Sequence, residues 1–220
     1  MVIVSTVNNA KARIMKILLF GATGRVGKSI VSKSLKNGHQ VIAFIRNKSK
    51  LTIQDQNLSI QEGDIYDSDV IEKLERIDFD IIINVIGADP LKPSTIFSDA
   101  TKLILSFLSG KSNKRYIAIT GIAQMDKTLF GKITIEILKL TPIKNAIADH
   151  QNAYDQVSQS NINWTLIGCP YIKDGAEKSV FQRSYQFNGG FKTIHPDDVA
   201  SAIVQEINKD DFHKIVGIWY

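Results

Sequence analysis

The stretch Met15–Leu35, MKILLFGATGRVGKSIVSKSL, constrains the fold more than any other part of the chain. A short apolar run, Lys16–Phe20, meets Gly21, and Gly24 and Gly27 follow at three-residue spacing. Val26, Ile30, Val31 and Leu35 then recur at helical spacing over Arg25–Lys36, until Asn37-Gly38 stops the pattern. An apolar run bounded by glycine reads as a buried strand, and the periodic segment as a helix. A strand, a tight turn and a helix leave unpaired backbone N–H groups at the helix start, where the dipole favours a phosphate.

Each glycine has a distinct expected task. Gly21 permits the tight turn, Gly24 lets the backbone approach a diphosphate with no side chain in the way, and Gly27 allows close helix–strand packing. The spacing is G-x-x-G-x-x-G, one residue removed from the dinucleotide fingerprint G-x-G-x-x-G. The alternative is a glycine-rich turn with no ligand. The strand–turn–helix context favours dinucleotide binding, with Thr23, Arg25 and Val26 completing the cradle.

The same alternation continues along the chain. Strands are expected at Gln40–Ile45, Leu58–Gln61, Asp80–Ile86, Arg115–Thr120, Trp164–Gly168 and Lys214–Ile218. Helices are expected over Ser94–Leu108, Asp126–Leu140, Ile143–Gln159 and Asp197–Asn208, the last with Pro196 at its start. Asp69 and Glu72 have the spacing of a capping box. Asp197 and Asp198 read as charge complementing a helix dipole. Leu129, Phe130, Ile133, Ile137, Leu138 and Leu140 form a wide apolar face, read first as core. The pattern predicts an α/β class: a Rossmann-like, doubly wound, mostly parallel sheet in a single domain over residues 14–220. Residues 1–13, which precede or straddle no periodic segment, read as a flexible extension or upstream start before Met15.

Composition narrows the function classes. The net charge of +5 comes from scattered cations with a mild cluster at Arg46-Asn47-Lys48-Ser49-Lys50. That suits an anionic ligand such as a phosphate, and no aromatic-interleaved basic stripe points to nucleic acid. Cys169 is the only cysteine, so no internal disulfide can form, and a reducing, cytoplasmic setting is expected. No apolar run approaches the length of a membrane span. His39, His195 and His213 show no zinc-like spacing, so no metal is expected.

The second strand ends in Arg46, nineteen residues after Gly27. An acid at that place holds the ribose 2′-hydroxyl of NAD, whereas an arginine suits the 2′-phosphate of NADP(H). Arg25 could flank the same phosphate; the alternative is that both are surface arginines. Asp64, with Ile65 beside it, fits an adenine contact or a turn after Gly63.

The stretches GATGRVG, EGDIYD, IIINVIG, GADPLKPST and ADHQNAYDQVSQSNINWTLIGCPYI resemble the atypical short-chain dehydrogenase/reductases, in the NAD(P)H-binding branch with biliverdin-IXβ reductase (flavin reductase) and NmrA-like proteins. The resemblance runs from about Lys16 onwards. It implies that Gly87 and Ala88 line the cofactor beyond the fourth strand, and that Thr120 and Gly121 lie under the nicotinamide. It also implies that Pro170, Tyr171 and Ile172 border the ring from the far side. His150 matches a histidine of the flavin-reductase relatives, with a polar helix residue as the alternative. Cys169 reads as a small buried residue.

The chain departs from the wider family in its acid/base set. Tyr66, Tyr116, Tyr154, Tyr171 and Tyr185 are followed four residues on by Val70, Thr120, Ser158, Gly175 and Gly189, so no Tyr-x-x-x-Lys pair exists. A serine seen after the fifth strand in flavin-reductase relatives corresponds to Gly121, and their histidine to Tyr171. The expected function is an NADPH-dependent reductase passing hydride to a flavin, quinone or similar small planar acceptor, as a monomer or homodimer. Thr120, Tyr171 and His150 are its candidate catalytic residues. The alternative is a non-catalytic NADP(H)-sensing protein of the NmrA-like kind.

Overall fold

The computed structural model describes residues 13–126 and 128–220. The expected extension over 1–13 therefore lies, apart from Arg13, outside the described residues. Strands are β1 (Lys16–Phe20), β2 (Gln40–Ile45), β3 (Leu58–Glu62), β4 (Ile81–Asn84), β5 (Arg115–Gly121), β6 (Asn163–Cys169), β7 (Tyr171–Ile172), β8 (Gln182–Ser184), β9 (Thr193–Ile194) and β10 (Lys214–Trp219). Helices are α1 (Arg25–Lys36), α2 (Val70–Glu75), α3 (Ile96–Leu108), α4 (Leu129–Leu138), α5 (Lys144–Ser158) and α6 (Pro196–Glu206).

An eight-stranded sheet runs in the order β3-β2-β1-β4-β5-β6-β10-β8. Only β8 is antiparallel, pairing Arg183 with Ile218. In the register, Leu18 lies between Ile42 and Ile82. Side chains alternate across the pleat. Ile17 and Leu19 face Ile30 and Val31 of α1 and Val199 and Ile203 of α6. Leu18, Phe20 and Tyr116 face Ile104 and Phe107 of α3 and Ala153 and Val157 of α5. Helices thus cover both faces, and the strand order reverses direction between β1 and β4. Ligands of such sheets bind outside the carboxyl ends of the strands at that switch point.

Several expectations need correction. The fourth strand stops at Asn84, not Ile86, because Asn84 Oδ1 takes the Ile86 N–H at 3.1 Å and turns the chain out of the sheet. The Asp69–Glu72 capping box does not form: Asp69 pairs with Lys73 at 2.9 Å, and Glu72 with Arg76. The apolar face of α4 is not core. Ile133, Ile137 and Leu140 are exposed, since α1, α6, α3 and α5 already cover the sheet. The side chains of Leu129 and Phe130 lie outside the described residues. Asp198 does more than complement a dipole: it is fully buried and accepts from the Lys178 and Ser179 N–H groups at 3.0 and 2.9 Å.

Candidate functional site

A groove of about 250 Å³ opens at the switch point. Its floor is Gly21, Thr23 and Gly24; Ile45, Arg46 and Lys50 form one wall; Gly63, Asp64 and Ile65 lie beside it; Ile86 and Gly87 close the far side.

The three glycines of the turn are glycine for different reasons. Gly21 has φ +86°, and a Cβ there would lie 2.6 Å from the Val85 carbonyl carbon. A Cβ on Gly27 would lie 2.0 Å from the Gly21 carbonyl oxygen. Both are required by the protein's own packing. Gly24 is not: its φ of −75° and ψ of 171° suit any residue, and a Cβ would meet only Gly21 O, at 3.4 Å. The side of the turn that Gly24 leaves bare faces the groove. No side chain caps α1, and no acid stands in its first turn, so its N-terminal amides remain available to an anion. These residues fit a dinucleotide diphosphate. Gly87, three residues beyond β4, and Gly121, the last residue of β5, have nothing within 4 Å of a built Cβ.

The β2 end of the groove is basic. Arg46 Nη1 lies 3.9 Å from Asp64 Oδ2, with the arginine side chain 68% exposed. Asp64 also accepts the Tyr66 N–H at 3.2 Å, so it is both a turn former and a groove residue. Sequence reasoning missed Lys50 as a site residue. Asn47 Oδ1 accepts the Ser49 N–H at 2.9 Å and shapes a short 3-10 turn, after which Lys50 lines the groove. Lys48 is held instead by Glu62, whose carboxylate accepts its N–H at 3.0 Å. Lys50 has no acidic partner among the described residues. The signal was present in the Arg46–Lys50 cluster, but only the turn geometry separates the two lysines.

A buried polar chain sets the β4 wall. Asn84 Nδ2 donates to Tyr116 Oη at 3.1 Å; that hydroxyl lies 3.2 Å from Thr101 Oγ1, which donates to Phe97 O at 2.8 Å. Burial pushes the Tyr116 pKa up to about 12, which keeps the hydroxyl a donor in this chain. Asp149 was also invisible in the sequence. It is buried on α5 and accepts the Phe97 and Ser98 N–H groups at 3.1 and 2.8 Å, capping α3 from another helix. Replacing Asp149 by alanine should cost about 2–4 kcal/mol, since two buried amides lose a charged acceptor. For a domain of this size that is a fall of about 5–12 °C in melting temperature, to be read by circular dichroism.

The candidate catalytic residues share no hydrogen bond, although Thr120 and His150 both lie near Phe97. Thr120 is 3% exposed and faces the α3/α5 side with Tyr116 and Ala118, its hydroxyl without a partner; its side chain does not line the groove. His150 stacks on Phe97 with ring centroids 4.6 Å apart, and burial pushes its pKa down, favouring the neutral ring. Tyr171 is 64% exposed on β7. No hydrogen bond joins any two of the three. Arg25, Gly27, Ala88, Pro170, Tyr171 and Ile172 lie outside the groove lining, and Val26 is buried in the first turn of α1. Cys169 is buried, its Sγ 3.6 Å from Ile167 O, and burial pushes its thiol far up, so it is no nucleophile. Among the described residues no cluster of metal-ligating side chains occurs, and no helix is long and apolar enough to cross a membrane.

A parallel sheet ordered 3-2-1-4-5-6 with a glycine turn at its switch point defines a Rossmann-type α/β protein. The chain belongs to the NAD(P)H-binding family, whose model matches residues 21–210. YwnB of Bacillus subtilis is 29% identical over 168 residues, covering 74% of this chain and 76% of its own. Phenylcoumaran benzylic ether reductase TP7 of Nicotiana tabacum is 28% identical over 163 residues, covering 70% of this chain; the chain spans only 48% of that reductase. Among solved structures, a protein provisionally described as an NADH-flavin reductase, from Streptococcus pneumoniae, matches with a TM-score of 0.75 at 22% identity. That match covers 93% of this chain and 99% of the other, a likeness of fold.

Proposed function

We propose that the protein is an NADPH-dependent reductase that passes hydride to a small planar acceptor such as a flavin or quinone. The observation that carries the reading is a groove with a bare glycine turn at one end of its floor and two cations, Arg46 and Lys50, on its wall. Arg46 and Lys50 would hold a 2′-phosphate through charge-assisted bonds. The amides around Gly21, Thr23, Gly24, Arg25, Val26 and Gly27 would bind the diphosphate, and Asp64 and Ile65 would flank the adenine. Gly87, Ala88, Pro170, Tyr171 and Ile172 would border the nicotinamide, which supplies the hydride when bound. With Thr120 buried and His150 kept neutral, orientation of the acceptor contributes more than proton transfer by these side chains. The reading is supported by the family match and by the reductases among its relatives.

The test is NADPH oxidation followed at 340 nm with FMN, riboflavin and a soluble quinone. Turnover with at least one planar acceptor is expected. A second reading, an NADP(H)-sensing protein, is favoured by the buried Thr120 hydroxyl and the missing Tyr-x-x-x-Lys pair. Tight NADPH binding with no turnover on any of these acceptors decides for the sensor.

A further inference from the structure

The segment 173–181, directly after β7, runs as a strap from the start of α1 to its last turn and along the first half of α6. Its root is firmly held. Lys173 O meets His195 Nδ1 at 2.8 Å, and a Cβ on Gly175 would lie 2.2 Å from the His195 ring. Glu177 accepts from Lys33 Nζ at 2.7 Å and from Ser201 Oγ at 2.8 Å. The buried Asp198 carboxylate takes two strap amides, and Ser179 adopts a left-handed φ of 61° between these anchors. Between Lys173 and Gly175, one side chain is held only at the surface. Asp174 pairs with Arg25, the first residue of α1 in the glycine turn, and both side chains are open to solvent, 79% and 60% exposed.

Resting on the dinucleotide reading above, we infer that Asp174 is a positioning residue that shares the Arg25 guanidinium with the cofactor diphosphate: binding a dinucleotide takes Arg25 from Asp174 and leaves that carboxylate free beside the glycine turn. An exposed ion pair is weak, and a diphosphate offers a guanidinium more charge and a bidentate partner. The exchange therefore runs toward the ligand. Asp174 stands two residues after Ile172, in the segment expected to border the nicotinamide. Occupancy of the diphosphate end is thereby felt at the acceptor end.

The experiment is calorimetric titration of the full chain with NADP+, which binds without turnover. Asp174→Asn should tighten binding about 2- to 5-fold, the worth of the competing exposed pair. Arg25→Ala should weaken binding about 10-fold, and Asp174→Asn added to Arg25→Ala should change nothing further. Unchanged or weaker binding by Asp174→Asn, or tightening that persists without Arg25, overturns the shared guanidinium while leaving the dinucleotide site intact. A native chain that binds no NADP+ overturns both.

Discussion

Replacing Arg46 by aspartate is expected to cut NADPH affinity about 100-fold while leaving NADH within about threefold of the native value. Arg46 directly follows β2 on the groove wall, 3.9 Å from Asp64 and mostly exposed, so its loss removes no core contact. Its guanidinium is the best bidentate partner for a 2′-phosphate at this end of the groove; Lys50 remains as a point charge. The new carboxylate would repel the phosphate and stand beside Asp64, yet it could accept from the ribose hydroxyl of NADH. Fluorescence titration with both dinucleotides measures the ratio. An equal loss for both would remove Arg46 from the phosphate and assign it a general electrostatic role.

The second large effect separates the glycines of the turn. Gly24→Ala should keep the melting temperature within about 3 °C, because its backbone conformation suits alanine and the new methyl meets only Gly21 O at 3.4 Å. Dinucleotide binding should nevertheless fall about 50- to 100-fold, as the methyl occupies the bare side of the turn. Gly27→Ala places a methyl 2.0 Å from a backbone oxygen, and the turn must move. It should cost about 3 kcal/mol or more, near 6–12 °C of melting temperature, and binding should fall with it. Thermal melts and calorimetry on the same two proteins distinguish a glycine kept for a ligand from one kept for packing. Retained binding in Gly24→Ala would remove the diphosphate from this turn.

These tests rest on the part of the molecule most legible in the sequence. The bounds of β1, α1 and β2 follow directly from apolar periodicity and punctuation by Gly21 and Asn37-Gly38, and the structure places them at the expected residues. The α/β class and the mostly parallel, doubly wound sheet followed from the same alternation. What escaped depends on contacts distant in sequence. Asp149 caps a helix some fifty residues away, with no local sign. The strands β7 and β9 are two residues each and carry no periodicity. The exposure of Ile133 and Ile137 follows from other helices having taken both sheet faces, which no local pattern reveals. Thr120 was readable in part: it shares its strand face with Tyr116 and Ala118, and that parity sets its side chain against α3 and α5.

The lone sulfur has a practical consequence. Cys169 ends β6, screened from solvent and held protonated, and the chain has no second thiol with which to crosslink. An alkylating reagent meets it only when the neighbouring strands part, so the rate of labelling becomes a clock for breathing of the sheet at the end of β6. A dinucleotide that slows that clock would be seen to bind without any optical signal of its own.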